Sequence, residues 1–263
     1  MSSVLQSRLD FAPWADPATR RLPGTVPVMP ADWLRVDDAY AGQMALRDRL
    51  IADQPESVLA LDDAARPAAQ ELLGMILPLL PALGHRVADG SVTRPDGVTV
   101  PLDPDAPMAT LGRLTAEDLC LMDRRDGSEE HLLVAAALCF PAGWTLKQKF
   151  LRPMIRIHQP VDRYDADVAR RVQRLLDGVQ PGRGLMRGTA HWASSGLHHP
   201  LTEERKAIPP GETPFIRVER QCLFRLPETR AVVFSIHTSM IRPEALSPEQ
   251  AALLEEFPIR RSS

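Results

Sequence analysis

The chain has 263 residues, of which 44% are hydrophobic and 25% charged, and 31 Lys and Arg against 34 Asp and Glu leave a formal net charge of -3. That length and composition suit a globular protein with a sizeable core, the lack of a basic excess argues against a dedicated nucleic-acid binder, and no apolar run approaches the roughly 18–20 residues of a membrane span. The 25 prolines and the 5% of aromatic residues predict long, proline-punctuated connections rather than a helical bundle.

The N-terminus, MSSVLQSRLDFAPW, lacks the basic-then-apolar pattern of a secretory signal, so a cytoplasmic location is expected. Residues 1–60 carry several prolines and scattered aromatics (Phe11, Trp14, Trp33, Tyr40) and read as an irregular, wrapping segment. One helix is predicted within it, over about 37–52, where Tyr40, Met44 and Leu50 recur at roughly helical spacing. A second helix is predicted over about 65–80. Pro67 suits its first turn, Asp62 and Asp63 lie just upstream, and Leu72, Leu73, Ile76, Leu77 and Leu80 give it an apolar side. Pro78 and Pro81 end or kink it.

Two hairpins follow. DLCLM (118–122) and HLLVAAALCF (131–140) read as one, with Asp126-Gly127 in the turn. RVERQCLFRL (217–226) and AVVFSIHTSM (231–240) read as the other. Period-2 geometry places Val218, Arg220, Cys222 and Phe224 on one face of that strand and Arg217, Glu219, Gln221 and Leu223 on the other. A further strand is expected near 184–193. Between the hairpins, DADVARRVQRLLDGV (165–179) is an amphipathic helix, with Val168, Val172, Leu175, Leu176 and Val179 on one side. Ser247-Pro248-Glu249-Gln250 is a capping-box pattern opening a last helix, whose buried side is Leu253 and Leu254. The order of elements predicts an α+β fold with an antiparallel sheet. No internal repeat and no glycine-rich phosphate loop is present, so a nucleotide fold has little support.

The chemistry-bearing residues are few. Cys120, Cys139 and Cys222 sit in apolar runs without a Cys-x-x-Cys pair, and read as small buried hydrophobes rather than as a zinc or iron–sulfur site. The seven histidines form no His-Glu-x-x-His pattern, and the adjacent pair His198-His199 reads as solvated loop. Trp192-Ala-Ser194-Ser-Gly196 lacks the first glycine of a nucleophile elbow. His158 follows the alternating Ile155, Arg156, Ile157 and precedes Pro160, where a strand or turn is expected to end. Two readings stand for it: a structural histidine, or a ligand projecting from a rigid element, since neutral imidazole serves as an axial ligand to haem iron. Arg217, Glu219 and Arg220 likewise read either as a surface ion pair or as a charged cluster inside a pocket.

Four strings, LGRLTAEDLCLM (111–122), LVAAALCFPAGWTLKQKF (133–150), RIHQPVD (156–162) and FIRVERQCLFRLPETRAVVFSIHT (215–238), together resemble the alpha subunit of haem-dependent oxidative N-demethylase. The resemblance covers roughly residues 24–245. It implies a PAS-like antiparallel β-sheet with flanking helices, and haem b bound through a histidine. It also implies a monooxygenase-type reaction with O₂, in which a small secondary amine such as dimethylamine loses an N-methyl group as formaldehyde. Electrons would come from NADPH through FMN and an iron–sulfur cluster on partner reductase subunits, because this chain carries no motif for those carriers. On the same resemblance His158 is the ligand of the haem iron. Arg217, Glu219 and Arg220 match the family's Arg-x-Glu-Arg-Gln stretch, with at least one arginine set against a haem propionate and Glu219 holding an alkylammonium or relaying protons. Arg187 and Trp192 match an Arg-x-Asn-Trp motif with altered spacing. His191 takes the Asn place, where it could help polarise O₂. The implied division is a wrapping segment over 1–60, a haem-binding PAS-like domain over 61–245 and a C-terminal helix and tail over 246–263. The alternative is a non-catalytic haem-binding or ligand-sensing module on the same fold. The oligomeric state is left open.

Overall fold

The computed structural model describes residues 3–21, 24–125, 128, 130–158, 166–194, 196–200 and 215–261, with the side chains of His158, Ala166, Arg260 and Arg261 left out of the description. In chain order its strands are β1 (Val26–Val28), β2 (Leu59–Leu61), β3 (Arg86–Ala88), β4 (Ser91–Thr93), β5 (Thr99–Pro101), β6 (Asp118–Arg124), β7 (His131–Ala137), β8 (Gly184–Ala193), β9 (Phe215–Arg225), β10 (Val232–Ile241) and β11 (Arg260–Arg261). The helices are α1 (Tyr40–Asp53), α2 (Pro55–Val58), α3 (Arg66–Ile76), α4 (Pro107–Leu114), α5 (Leu146–Lys149), α6 (Met154–His158), α7 (Ala166–Gly178) and α8 (Pro248–Glu256). No helix among the described residues is long and apolar enough to cross a membrane.

The main sheet runs β1-β8-β9-β10-β6-β7-β2, with β11 beside β8. Every neighbouring pair along that path is antiparallel, and only β11 runs parallel to its partner. Both expected hairpins form: β6 pairs with β7, and β9 with β10. The residues Asp126-Gly127, expected in the first turn, lie outside the described residues. The second turn is held by Glu71 of α3, whose carboxylate accepts the backbone N–H groups of Glu228 and Thr229 (2.7 and 2.8 Å). The strand near 184–193, the helices within 37–52 and 165–179, and the capping box at Ser247 and Gln250 also form as expected.

Period-2 alternation divides the sheet into two buried faces. On one face Leu119, Leu121, Cys222, Phe224 and Val233 pack with Trp33, with Leu72, Leu73 and Ile76 of α3, and with Met108, Leu111 and Leu114 of α4. On the other, Cys120, Met122, Leu133 and Val232, with Leu223 and Phe234, pack under Leu146 of α5, Met154 and Ile157 of α6, and Val172 and Leu176 of α7. Arg225 ties α7 down, because its guanidinium donates to the carbonyls of Leu176 and Val179 at the helix C-terminus. A small second sheet, β3-β4-β5, and helix α4 add to the sequence reading.

Three expectations need correction. The helix over 65–80 stops as an α-helix at Ile76, and Leu77–Leu83 continue as a 3-10 helix, because Pro78 and Pro81 remove the donors an α-helix needs. The strand or turn expected before His158 is the short helix α6, entered from Pro153. The i, i+2 pair Ile155 and Ile157 imitated a strand, but the buried-side pair is Met154 and Ile157 at i, i+3, and Ile155 is exposed. His198 is not free in solvent: it is half-buried, with Nδ1 2.8 Å from the Cys139 carbonyl.

Two buried charge clusters join α1 and the N-terminal segment to the sheet. Arg47 and Asp118 pair at 2.7 Å with both side chains fully buried. Arg47 also donates to the carbonyls of Gly112 and Glu117 (2.9 Å each), while Asp118 accepts the backbone N–H groups of Cys139 (2.7 Å) and Phe140 (2.9 Å). Elsewhere His237 of β10 lies between Asp37 and Glu117. Its Nε2 is 3.2 Å from Asp37 Oδ2, and its Nδ1 is 3.2 Å from Glu117 Oε1, within ion-pair reach but off line for a hydrogen bond. Burial opposes the imidazolium, yet the two carboxylates outweigh burial and raise the His237 pKa to about 9.

A group whose pKa is higher folded than unfolded stabilises the fold below its unfolded value, and the contribution is lost as pH rises through the folded value. For His237 that window runs from about 6.5 to 9 and is worth roughly 3 kcal/mol. Urea denaturation is expected to show stability falling between pH 6.5 and 9.5. His237→Gln should flatten that slope, and an unchanged slope in the variant would place the titration elsewhere.

Candidate functional site

A cavity of about 360 Å³ lies between the second sheet face and α5–α7, within the range of small-molecule sites. Its walls are largely apolar: Met122, Leu133, Leu185, Leu223, Phe234 and Ile236 from the sheet, Met154, Ile157, Val172, Leu175 and Leu176 from the helices, and Phe140 and Trp144 from the connection after β7. Cys120 also lines it. Burial pushes that thiol well above its ordinary pKa, so it stays protonated. All three cysteines are buried and free, in accord with the sequence reading. Among the described residues no group of three His, Cys, Asp or Glu side chains is placed to hold a metal ion.

The polar part of the wall is a row on β8 and β9. Strand pairing sets Arg187 opposite Gln221, Thr189 opposite Glu219 and His191 opposite Arg217. Arg187, Gln221 and Glu219 line the cavity. The Gln221 amide bridges the other two: its Oε1 accepts from Arg187 Nε (2.9 Å), and its Nε2 donates to Glu219 Oε2 (3.0 Å). Below them Arg217 pairs with Glu219 (Nε to Oε1, 3.0 Å) and donates to the carbonyls of Leu197 (3.0 Å) and Phe140. Burial alone would raise the Glu219 pKa, but the Arg217 guanidinium and the hydrogen bonds from Arg217 and Gln221 together lower it, so the carboxyl is ionised. Burial lowers the His191 pKa, and nearby Arg217 lowers it further, against the pull of Glu219. The imidazole is therefore neutral at neutral pH. Lys149 lines the cavity too, with Nζ donating to the Ile157 carbonyl.

Residues 24–257 match the family described as haem-dependent oxidative N-demethylase, alpha subunit-like. The chain belongs to that family.

The structure brings together some of the residues proposed for a family member and separates others. Arg187 and Glu219 reach the cavity, Arg217 sits directly beneath Glu219, and His191 is its electrostatic neighbour. The face assignment on β9 holds residue by residue: Glu219, Gln221 and Leu223 line the cavity, while Cys222 and Phe224 pack on the far side. Arg220 is on that far side, donating to the carbonyls of Trp33 and Asp32 (2.7 Å each). Trp192 packs with Ile216, Val218 and the N-terminal residues Leu9 and Trp14, away from the cavity. The backbone of His158 ends α6, one residue after the wall residue Ile157, and its side chain lies outside the described residues.

The sequence reading passed over Gln221 and Lys149 as site residues. Gln221 was signalled by its period-2 relation to Glu219. Nothing in the sequence pointed to Lys149, which reaches the cavity only through the short helix α5.

Replacing Arg217 by Leu would leave Glu219 buried without its counter-ion and two carbonyls without a donor. Arg217→Leu is expected to cost about 3–5 kcal/mol in chemical denaturation. A loss under about 1 kcal/mol would put the pair in the class of surface ion pairs.

Proposed function

We propose that this chain binds haem b in the cavity and acts as the oxygenating subunit of an oxidative N-demethylase for a small secondary amine, with dimethylamine as the simplest test substrate. The observation that carries the reading is an ionised carboxylate, Glu219, buried in the wall of a largely apolar cavity in a member of this family. A buried carboxylate of that kind suits a cationic alkylammonium.

The chemistry of the wall suits the cofactor. The Leu, Met, Phe and Ile walls suit an apolar macrocycle, and the Lys149 ammonium in the wall suits a carboxylate. Helix α6 contributes Met154 and Ile157 to the wall, and this supports His158, at its end, as the iron ligand. The strand arrangement supports a PAS-like reading of the central sheet. Five strands run β8-β9-β10-β6-β7, the first of them in the chain, β6, lies beside the last, β10, and α5–α7 enter between the second and third and cover one face.

Haem supplies the activation of O₂ and the oxidation of the methyl C–H bond. The protein supplies binding and protons. Glu219 holds the ammonium, and Arg217 and Gln221 fix the carboxylate for that task. Neutral His191, beside Glu219, can accept or return a proton as the carbinolamine breaks to amine and formaldehyde. The overall balance is R–NH–CH₃ + O₂ + 2 e⁻ + 2 H⁺ → R–NH₂ + HCHO + H₂O. The two electrons come from a partner reductase carrying NADPH, FMN and an iron–sulfur cluster.

Purified protein is expected to show a Soret band that His158→Ala loses, and to release formaldehyde from dimethylamine when given a reductant. Glu219→Gln should abolish turnover with haem content unchanged. A wild-type protein with no Soret band after haem reconstitution would reject the cofactor assignment, and full activity in Glu219→Gln would reject the role of the carboxylate.

A further inference from the structure

Arg187 is the charge that amine binding alone leaves unused. Its Nε donates to Gln221 Oε1, and among the described residues no carboxylate lies within ion-pair distance of it and no protein acceptor takes its terminal N–H groups. The guanidinium is nonetheless part of the cavity wall. Burial disfavours its charged form, only partly offset by Glu219. A guanidinium presents its donors as a planar fork that matches a carboxylate, and even a half-buried charge is favoured by a counter-charge.

Glu219 stands diagonally across the β8–β9 ladder from Arg187, because Arg187 faces Gln221 and Glu219 is two residues back along β9. Diagonal neighbours on one sheet face are within reach of long side chains. The Gln221 amide joins them, carbonyl to the guanidinium and NH₂ to the carboxylate. Cation, amide and anion thus form one row along the sheet, and Arg217 already neutralises much of Glu219 from the other side.

We propose that the Arg187–Gln221–Glu219 row is a zwitterion subsite and that the substrate is a secondary amine bearing its own carboxylate, an N-methyl amino acid, with the carboxylate on Arg187 and the ammonium on Glu219. The proposal rests on the N-demethylase reading and narrows its substrate. Dimethylammonium would fill the Glu219 end and leave the half-buried Arg187 without a counter-charge. A zwitterion satisfies both ends at once, with the carboxylate as the stronger anchor because Arg187 is the less compensated charge. A haem propionate is the other source of a carboxylate. The position of Arg187 argues for substrate: it stands near the middle of β8, on a ladder covered by β9, rather than at a strand end.

The test uses the full chain reconstituted with haem, titrated calorimetrically with N-methylglycine and with dimethylamine, with haem content read from the Soret band. N-methylglycine should bind at least tenfold more tightly than dimethylamine. Arg187→Gln should weaken N-methylglycine at least tenfold, leave dimethylamine within twofold and keep its haem. Arg187→Lys, which retains the charge but not the fork, should fall between and stands in if the first variant does not fold. Equal binding of the two amines overturns the proposal, as does an unchanged preference in the Arg187 variants. Loss of haem from those variants with the preference intact assigns the guanidinium to a propionate and overturns the subsite while the N-demethylase reading survives. If the wild-type chain takes up no haem, that reading fails by itself, and the same titrations on the haem-free chain decide the subsite.

Discussion

The Asp118 carboxylate is the point on which the arrangement of this protein turns. It is fully buried, and every strong interaction it makes joins a different part of the chain. Arg47 brings α1 to it, and the N–H groups of Cys139 and Phe140 bend the chain out of β7 around it. The carbonyl of that same Phe140 accepts from Arg217, and Arg217 holds Glu219. A continuous run of charge-assisted hydrogen bonds therefore leads from the helical layer on one side of the sheet to the cavity on the other. Desolvating two ions is expensive, so such a pair adds little net stability over an apolar substitute, but removing one partner strands the other. What the pair contributes is a unique geometry, since α1, the exit from β7 and the start of β6 must all converge for its donors and acceptors to be matched.

The cavity follows from the sheet. Each central strand is buried on both faces, so its odd and even residues serve different layers. On β9 the even positions complete the apolar core around Trp33, and the odd positions carry Arg217, Glu219 and Gln221 into the opposite layer. Helix α7 roofs that layer, because Arg225 at the end of β9 donates to its terminal carbonyls. Polar residues in the middle of a buried strand are costly unless matched. Among the described residues Arg217, Glu219 and Gln221 are matched to one another, and the outer N–H groups of Arg187 give the wall its chemical direction.

Much of the architecture was legible in the residues. The two hairpins, the strand over 184–193, α1, α7 and the capped C-terminal helix follow from local periodicity and turn chemistry, which act over a few residues and are written there. Where local signals competed, the reading failed. Around His158 an i, i+2 alternation of isoleucines looked like a strand, while burial selected the i, i+3 pair Met154 and Ile157. The short strands β1 and β2 carry too few residues to show a pattern and exist because a neighbouring edge needed partners.

The sequence by itself determined the α+β class, the kinship to the N-demethylase family and the two-faced character of the strand bearing Arg217, Glu219 and Gln221, because each depends on residue order and period alone. Only the tertiary structure decided that Glu219 is buried against Arg217 rather than paired at a surface. Only there do Arg220 and Trp192 turn away from the cavity, and Arg187 turn into it beside a bridging amide. Those outcomes depend on which strands become neighbours and what covers each face, and no local stretch of chain encodes contacts between residues far apart in the sequence.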